Sequence, residues 1–149
     1  MLFLDQDILS QAEASFKKAI DINPRNDTAY LHLGWLYRFR DKFSQAEASF
    51  KKAIELNSKS DDAYVGLGML FQDQDKLSQA EDVFKKAIEI NPKNDRAWVG
   101  LGWLYKGKGQ GKLSQDEDSF KKAIELDPEN DEAYVGLGFY FLKAKKAKK

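Results

Sequence analysis

One eleven-residue string, SQAEASFKKAI, occurs twice without a change, at Ser10–Ile20 and at Ser44–Ile54. Looser copies follow as SQAEDVFKKAI from Ser78 and SQDEDSFKKAI from Ser114. The first three copies are 34 residues apart and the last interval is 36. A fixed period of this size marks a solenoid, in which each unit buries its apolar face against its neighbours. Between the copies a second piece returns: DTAYLHLGWLY from Asp27, DDAYVGLGMLF from Asp61, DRAWVGLGWLY from Asp95 and DEAYVGLGFYF from Asp131.

Both pieces carry a helical period. Tyr30, Leu33, Gly34 and Tyr37 share one face of the first. Phe43, Ala46, Phe50, Ala53 and Ile54 share one face of the second, with Lys51 and Lys52 opposite. Turn material separates them: RDKF within a unit, and NPRN, NSKS, NPKN and DPEN between units. Proline stops one helix, and the Asn or Ser ahead of each recurring Asp is placed to cap the next. Each unit therefore reads as a helical hairpin. SQAE itself has the form of a capping box, Ser10 with Glu13 and so on; the alternative is that Asp41 and Asp75 cap the second helices. A glycine inside a helix costs about 1 kcal/mol against alanine, so the return of Gly34, Gly68, Gly102 and Gly138 implies close approach of a neighbouring helix.

This pattern resembles the tetratricopeptide repeat family, whose 34-residue helix–turn–helix unit shows an aromatic, Leu-Gly and Tyr, then Ala, an aromatic, Ala and Pro. The unit from Asp61 supplies Tyr64, Leu67, Gly68, Phe71, Ala80, Phe84, Ala87 and Pro92. The unit from Asp27 matches but has Ser58 where proline is expected. The unit from Asp95 matches through Trp98, Leu101, Gly102, Tyr105, Phe120, Ala123 and Pro128, with Asp116 at the packing alanine and a longer turn, KGKGQGK. The resemblance implies an all-α, right-handed α–α superhelix of about eight antiparallel helices. The chain divides as a half repeat over 1–26, full repeats over 27–60, 61–94 and 95–130, and a half repeat over 131–149. Residues 1–6 parallel the close of a first helix, which puts the start of the first FKKAI helix near Ile8.

Several kinds of chemistry find no support. There are no cysteines, which removes disulfides and thiolate metal sites. His32 is the sole histidine and sits in a packing pattern, so neither a general base nor a metal centre is expected. GWLYKGKG at Gly102–Gly109 imitates a phosphate loop, but Gly stands where Ser or Thr should hold magnesium and no strand precedes it. Lys and Arg number 24 against 24 Asp and Glu, which argues against a backbone-gripping nucleic-acid binder. No run approaches the roughly 18 apolar residues of a membrane span. A non-enzyme without cofactor, in the cytoplasm, is expected.

Function must then lie on a surface. The resemblance implies a concave groove lined by the first helices: Leu31, Val65, Val99 and Val135; one turn on, Trp35, Met69, Trp103 and Phe139; a further turn on, Arg38, Gln72, Lys106 and Leu142. Members that bind chaperone tails carry a clamp of Lys, Asn and Arg there, and this chain has aliphatic and aromatic residues instead. That second apolar stripe contacts either a neighbouring helix or a partner. The expected role is a scaffold that takes a peptide or helix of a partner protein. The alternatives are weak head-to-tail self-association through the half repeats, and contact of the terminal KAKKAKK with anionic material.

Overall fold

The computed structural model describes residues 2–108 and 113–147. Among them are eight helices: α1 (Leu2–Ile22), α2 (Asp27–Phe39), α3 (Phe43–Leu56), α4 (Asp61–Asp73), α5 (Leu77–Ile90), α6 (Asp95–Lys108), α7 (Leu113–Leu126) and α8 (Asp131–Ala147). Most of the long KGKGQGK turn, the end of the phosphate-loop lookalike and the last two lysines lie outside the described residues.

Each helix packs on the next in sequence, so α2/α3, α4/α5 and α6/α7 are antiparallel hairpins. The first helices also touch one another, α2 with α4, α4 with α6 and α6 with α8. Among the described residues, helices α1, α3, α5 and α7 make no such contacts with one another. One row of helices is thus closer-spaced than the other, which curves the stack and places α2, α4, α6 and α8 on its inner side. The arrangement is an all-α solenoid.

The hairpin geometry follows from a few recurring residues. Phe50, Phe84 and Phe120 are fully buried. Phe50 lies between Gly34 and Gly66, Phe84 between Gly68 and Gly100, and Phe120 between Gly102 and Gly136. A β-carbon on any of these glycines would fall 2.3 to 2.7 Å from a ring atom. The glycine column read from the sequence is therefore one of two, and the second, Gly66, Gly100 and Gly136, receives the same ring from the other side. Gly138 has nothing within 4 Å of a β-carbon position.

The helix starts at the inner row are capped as expected. Asn26, Asn94 and Asn130 accept from the amides of Ala29, Ala97 and Ala133, and Ser60 accepts from Ala63. The recurring Asp has a partner of its own: Asn57 donates to Asp27 at 3.0 Å, Asn91 to Asp61 at 2.9 Å and Asn130 to Asp95 at 2.8 Å. The first two bonds close the open ends of α2/α3 and α4/α5, and the third ties the cap of α8 back to the start of α6, as Asn94 ties to Asp61 at 2.8 Å.

The outer helices start differently from either expectation. Helices α3 and α5 begin after Lys42 and Lys76, which give no side-chain cap. Asp41 and Asp75 instead take left-handed conformations, φ 57° and 59°. Lys42 N–H bonds to Tyr37 O at 2.8 Å and Asp41 N–H to Arg38 O at 3.0 Å, which is a Schellman closure of the preceding helix. Aspartate tolerates that conformation, so these acids end α2 and α4 rather than start α3 and α5. Ser10 is in the middle of α1, and Glu13 turns outward to the next helix: Tyr37 Oη donates to it at 2.8 Å and Arg40 Nη1 at 3.0 Å. The capping box is not formed there. Nor does α1 break at Asp7, the counterpart of Asp75; it is continuous from Leu2.

Candidate functional site

Three consecutive inner helices carry a bulky side chain immediately after the glycine of the first column: Trp35 on α2, Met69 on α4 and Trp103 on α6, continued by Phe139 on α8. Trp35, Met69 and Trp103 are half-buried and Phe139 is 47% exposed. Trp35 and Trp103 each pack edge-on against a core phenylalanine, Phe50 at 5.2 Å and Phe120 at 5.4 Å. Each indole thus packs on the core and stays part-exposed. Trp103 and Phe139 meet at 6.1 Å, so the row is continuous at that end.

Cations sit over these rings. Arg96 lies 4.8 Å from the centroid of Trp35 although it belongs to α6, two inner helices away. Lys106 lies 5.6 Å from Trp103 and 4.9 Å from Phe139. Arg38 lies 6.0 Å from Trp35 and is held by Asp73, with bonds of 2.7 and 3.2 Å. Such cation–π placements contribute about 0.5–1 kcal/mol when exposed and more when desolvated. Met69, Gln72, Arg96, Val99, Trp103 and Glu132 line a cleft of about 120 Å³. Lys106, Phe139, Leu142 and Lys143 line an adjoining one of about 310 Å³.

Not every groove residue expected from the sequence is on this surface. Val65 is 0% exposed and Val99 only 4%, the latter touching just the floor of the smaller cleft. Their row faces the next inner helix, because α2, α4, α6 and α8 pack on one another. Leu31 on α2 is half-buried, and Val135 on α8 is 52% exposed. Trp35, Arg38, Met69, Gln72, Trp103 and Lys106 are brought together as half-buried side chains, with Phe139 and Leu142 exposed at the end. Arg96 was missed by sequence reasoning. Its signal was there: the other repeats have Thr28, Asp62 and Glu132 at that place, so the one cation stands out.

His32 is exposed and stacks on Phe16 at 5.6 Å. A separate cleft of about 270 Å³, lined by Ile88, Trp98, Leu101, Tyr105, Gln115 and Ser119 among others, is bounded by α5, α6 and α7. No helix among the described residues is long and apolar enough to cross a membrane.

Family profiles described as tetratricopeptide repeat match residues 27–60, 61–94 and 83–116. Among solved structures, a crystal structure of MamA superposes with a TM-score of 0.77 at 26% identity, over 95% of this chain and 81% of that one. The OM64 TPR domain of Arabidopsis gives 0.74 at 21% identity, over 78% and 95%. YrrB, described as a TPR protein with an unusual peptide-binding site, gives 0.68 at 22% identity, over 97% and 73%. No curated protein matches by sequence.

Proposed function

Because the chain belongs to the tetratricopeptide repeat family, whose members are protein-interaction scaffolds, we propose that its inner groove takes a helix or extended segment of a partner protein. The scaffold works without catalysis and without a cofactor. The observation that carries this reading is the row Trp35, Met69, Trp103 and Phe139, backed by the core on one side and bordered by the groove on the other. Aromatic anchors of this kind account for much of the binding energy in protein interfaces. Arg96 and Lys106 over the rings favour a segment with acidic groups beside its apolar anchors. The balanced net charge favours a protein over a nucleic acid. Trp35, Arg38, Met69, Gln72, Arg96, Trp103, Lys106 and Phe139 form the contact set, with Leu31 and Val135 at its two ends and Val65 and Val99 as support beneath.

The test is a displayed-peptide selection against the full chain, repeated with Trp103→Ala. Enriched peptides should combine apolar anchors with acids, and Trp103→Ala should weaken their binding by about thirtyfold, the equivalent of about 2 kcal/mol. Helical content should be unchanged. Equal binding by the variant would contradict the reading.

A second reading has its own support. Helix α8 exposes Tyr134, Val135, Phe139, Phe141 and Leu142, and a self-associating scaffold would cover them.

A further inference from the structure

The chain contains its own control for what covers α8. Residues Ser10–Ile20 of α1 and Ser44–Ile54 of α3 are identical, so any difference between them is set by their neighbours. In α3, Ala46, Phe50 and Ala53 are fully buried, with α2 on one side and α4 on the other. In α1 the same side chains, Ala12, Phe16 and Ala19, are all part-exposed. Helix α2 stands to α1 as α4 stands to α3, and among the described residues nothing stands where α2 would. Phe16 has one flat neighbour, His32, where Phe50 has two glycines.

Helix α8 is the reverse case. Gly138 is in the column of Gly34, Gly68 and Gly102, each of which receives the ring of the outer helix that follows. At Gly138 a β-carbon would meet nothing within 4 Å. Phe141 holds the place of Tyr37; it is 54% exposed, whereas Tyr37 is buried.

We propose that α1 of a second copy docks on α8 as α3 docks on α2, with Phe16 entering the seat at Gly138. Phe139 then meets Phe16 edge-on, as Trp35 meets Phe50. This rests on the self-association reading above and gives it a register. The lengths of the two helices fit the same arrangement. Helix α2 ends at Phe39 and α3 starts at Phe43. Helix α8 runs past Lys143, the counterpart of Phe39, to Ala147, and α1 starts seven residues before Leu9, the counterpart of Phe43. Antiparallel packing lays these two extensions side by side. The α8 extension carries Lys145, just after Lys143, and the α1 extension carries Asp7. The contact uses two different faces, so it repeats into open chains of copies rather than closing on itself as a symmetric pair.

Gly138→Leu separates this register from other self-contacts. The site is open in the single chain and leucine is a good helix former, so folding is preserved while the seat is filled. Light scattering across a hundredfold concentration range should show a mass that rises without a plateau at the dimer. The rise should weaken with added salt and be about tenfold weaker or more in Gly138→Leu, with an unchanged or higher melting temperature. Association as strong in Gly138→Leu as in the parent would overturn the register and leave self-association standing. A monomer at every concentration in the parent would overturn both.

Discussion

The ring of Phe50 rests directly on Gly34: a β-carbon on that glycine would fall 2.6 Å from the ring, too close for any real contact. The same fit recurs between Phe84 and Gly68 at 2.7 Å, and it is absent at Gly138. Two glycines of one column should therefore respond oppositely to the same change. Gly68→Ala adds helix propensity but overpacks a closed interface, and should destabilise by about 1–3 kcal/mol. Gly138→Ala meets no neighbour and should stabilise by about 0.5–1 kcal/mol. Urea denaturation midpoints, compared at constant slope, measure both.

Asp116 takes the place of Ala46 and Ala80, is 2% exposed, and its Oδ2 has no hydrogen-bond partner among the described residues. Burial raises its carboxyl above 3.8, against a partial offset from the Lys143 charge, its own backbone amide and the Lys106 charge. The folded state therefore holds this proton more tightly than the unfolded chain. Stability falls as pH rises from the unfolded value through the raised folded one, and the whole cost stands above that window. Asp116→Ala should stabilise by about 1–3 kcal/mol at neutral pH. The gain should shrink as pH falls toward about 4. An unchanged denaturation midpoint at neutral pH would show that the carboxylate is well satisfied.

Glu13 joins α1 to α2 through Tyr37 and Arg40. Bonds from Lys17 and Tyr37, with the charges of Lys17 and Lys42, hold its carboxyl below the usual 4.5 against the opposing effect of burial. Its contribution is present above the unfolded value and lost as pH falls through the depressed one. Tyr37→Phe, which copies Phe71 at the same place in the next repeat, should cost about 0.5–1.5 kcal/mol at neutral pH. The cost should be smaller in acid, as read from denaturation at both pH values.

The solenoid was legible because its period, its turns and its core columns repeat in the sequence itself. What was not legible depends on how helices meet. Glu13 has the spacing of a capping box, yet its partner Tyr37 is on the next helix and 24 residues away. Asp41 looks like a cap until the left-handed turn is seen to close α2. Val65 and Val99 share the apolar character of Met69 and Trp103, and only the contact between successive inner helices sends one row into the core and leaves the other part-exposed. Arg96 over Trp35 bridges two repeats, a relation that a single repeat cannot display.

The groove account is tested most directly by the three tryptophans as built-in reporters. Trp35 and Trp103 are on the inner face, whereas Trp98 lines the separate cleft between α5, α6 and α7 and donates its indole N–H to Pro92 O at 3.0 Å. A peptide from the selection, titrated into the isotope-labelled chain, can be followed at each indole N–H signal by NMR. The signals of Trp35 and Trp103 should shift in step with binding while that of Trp98 stays in place. A shift at Trp98 with Trp35 and Trp103 unmoved would put the ligand outside the groove and contradict the account.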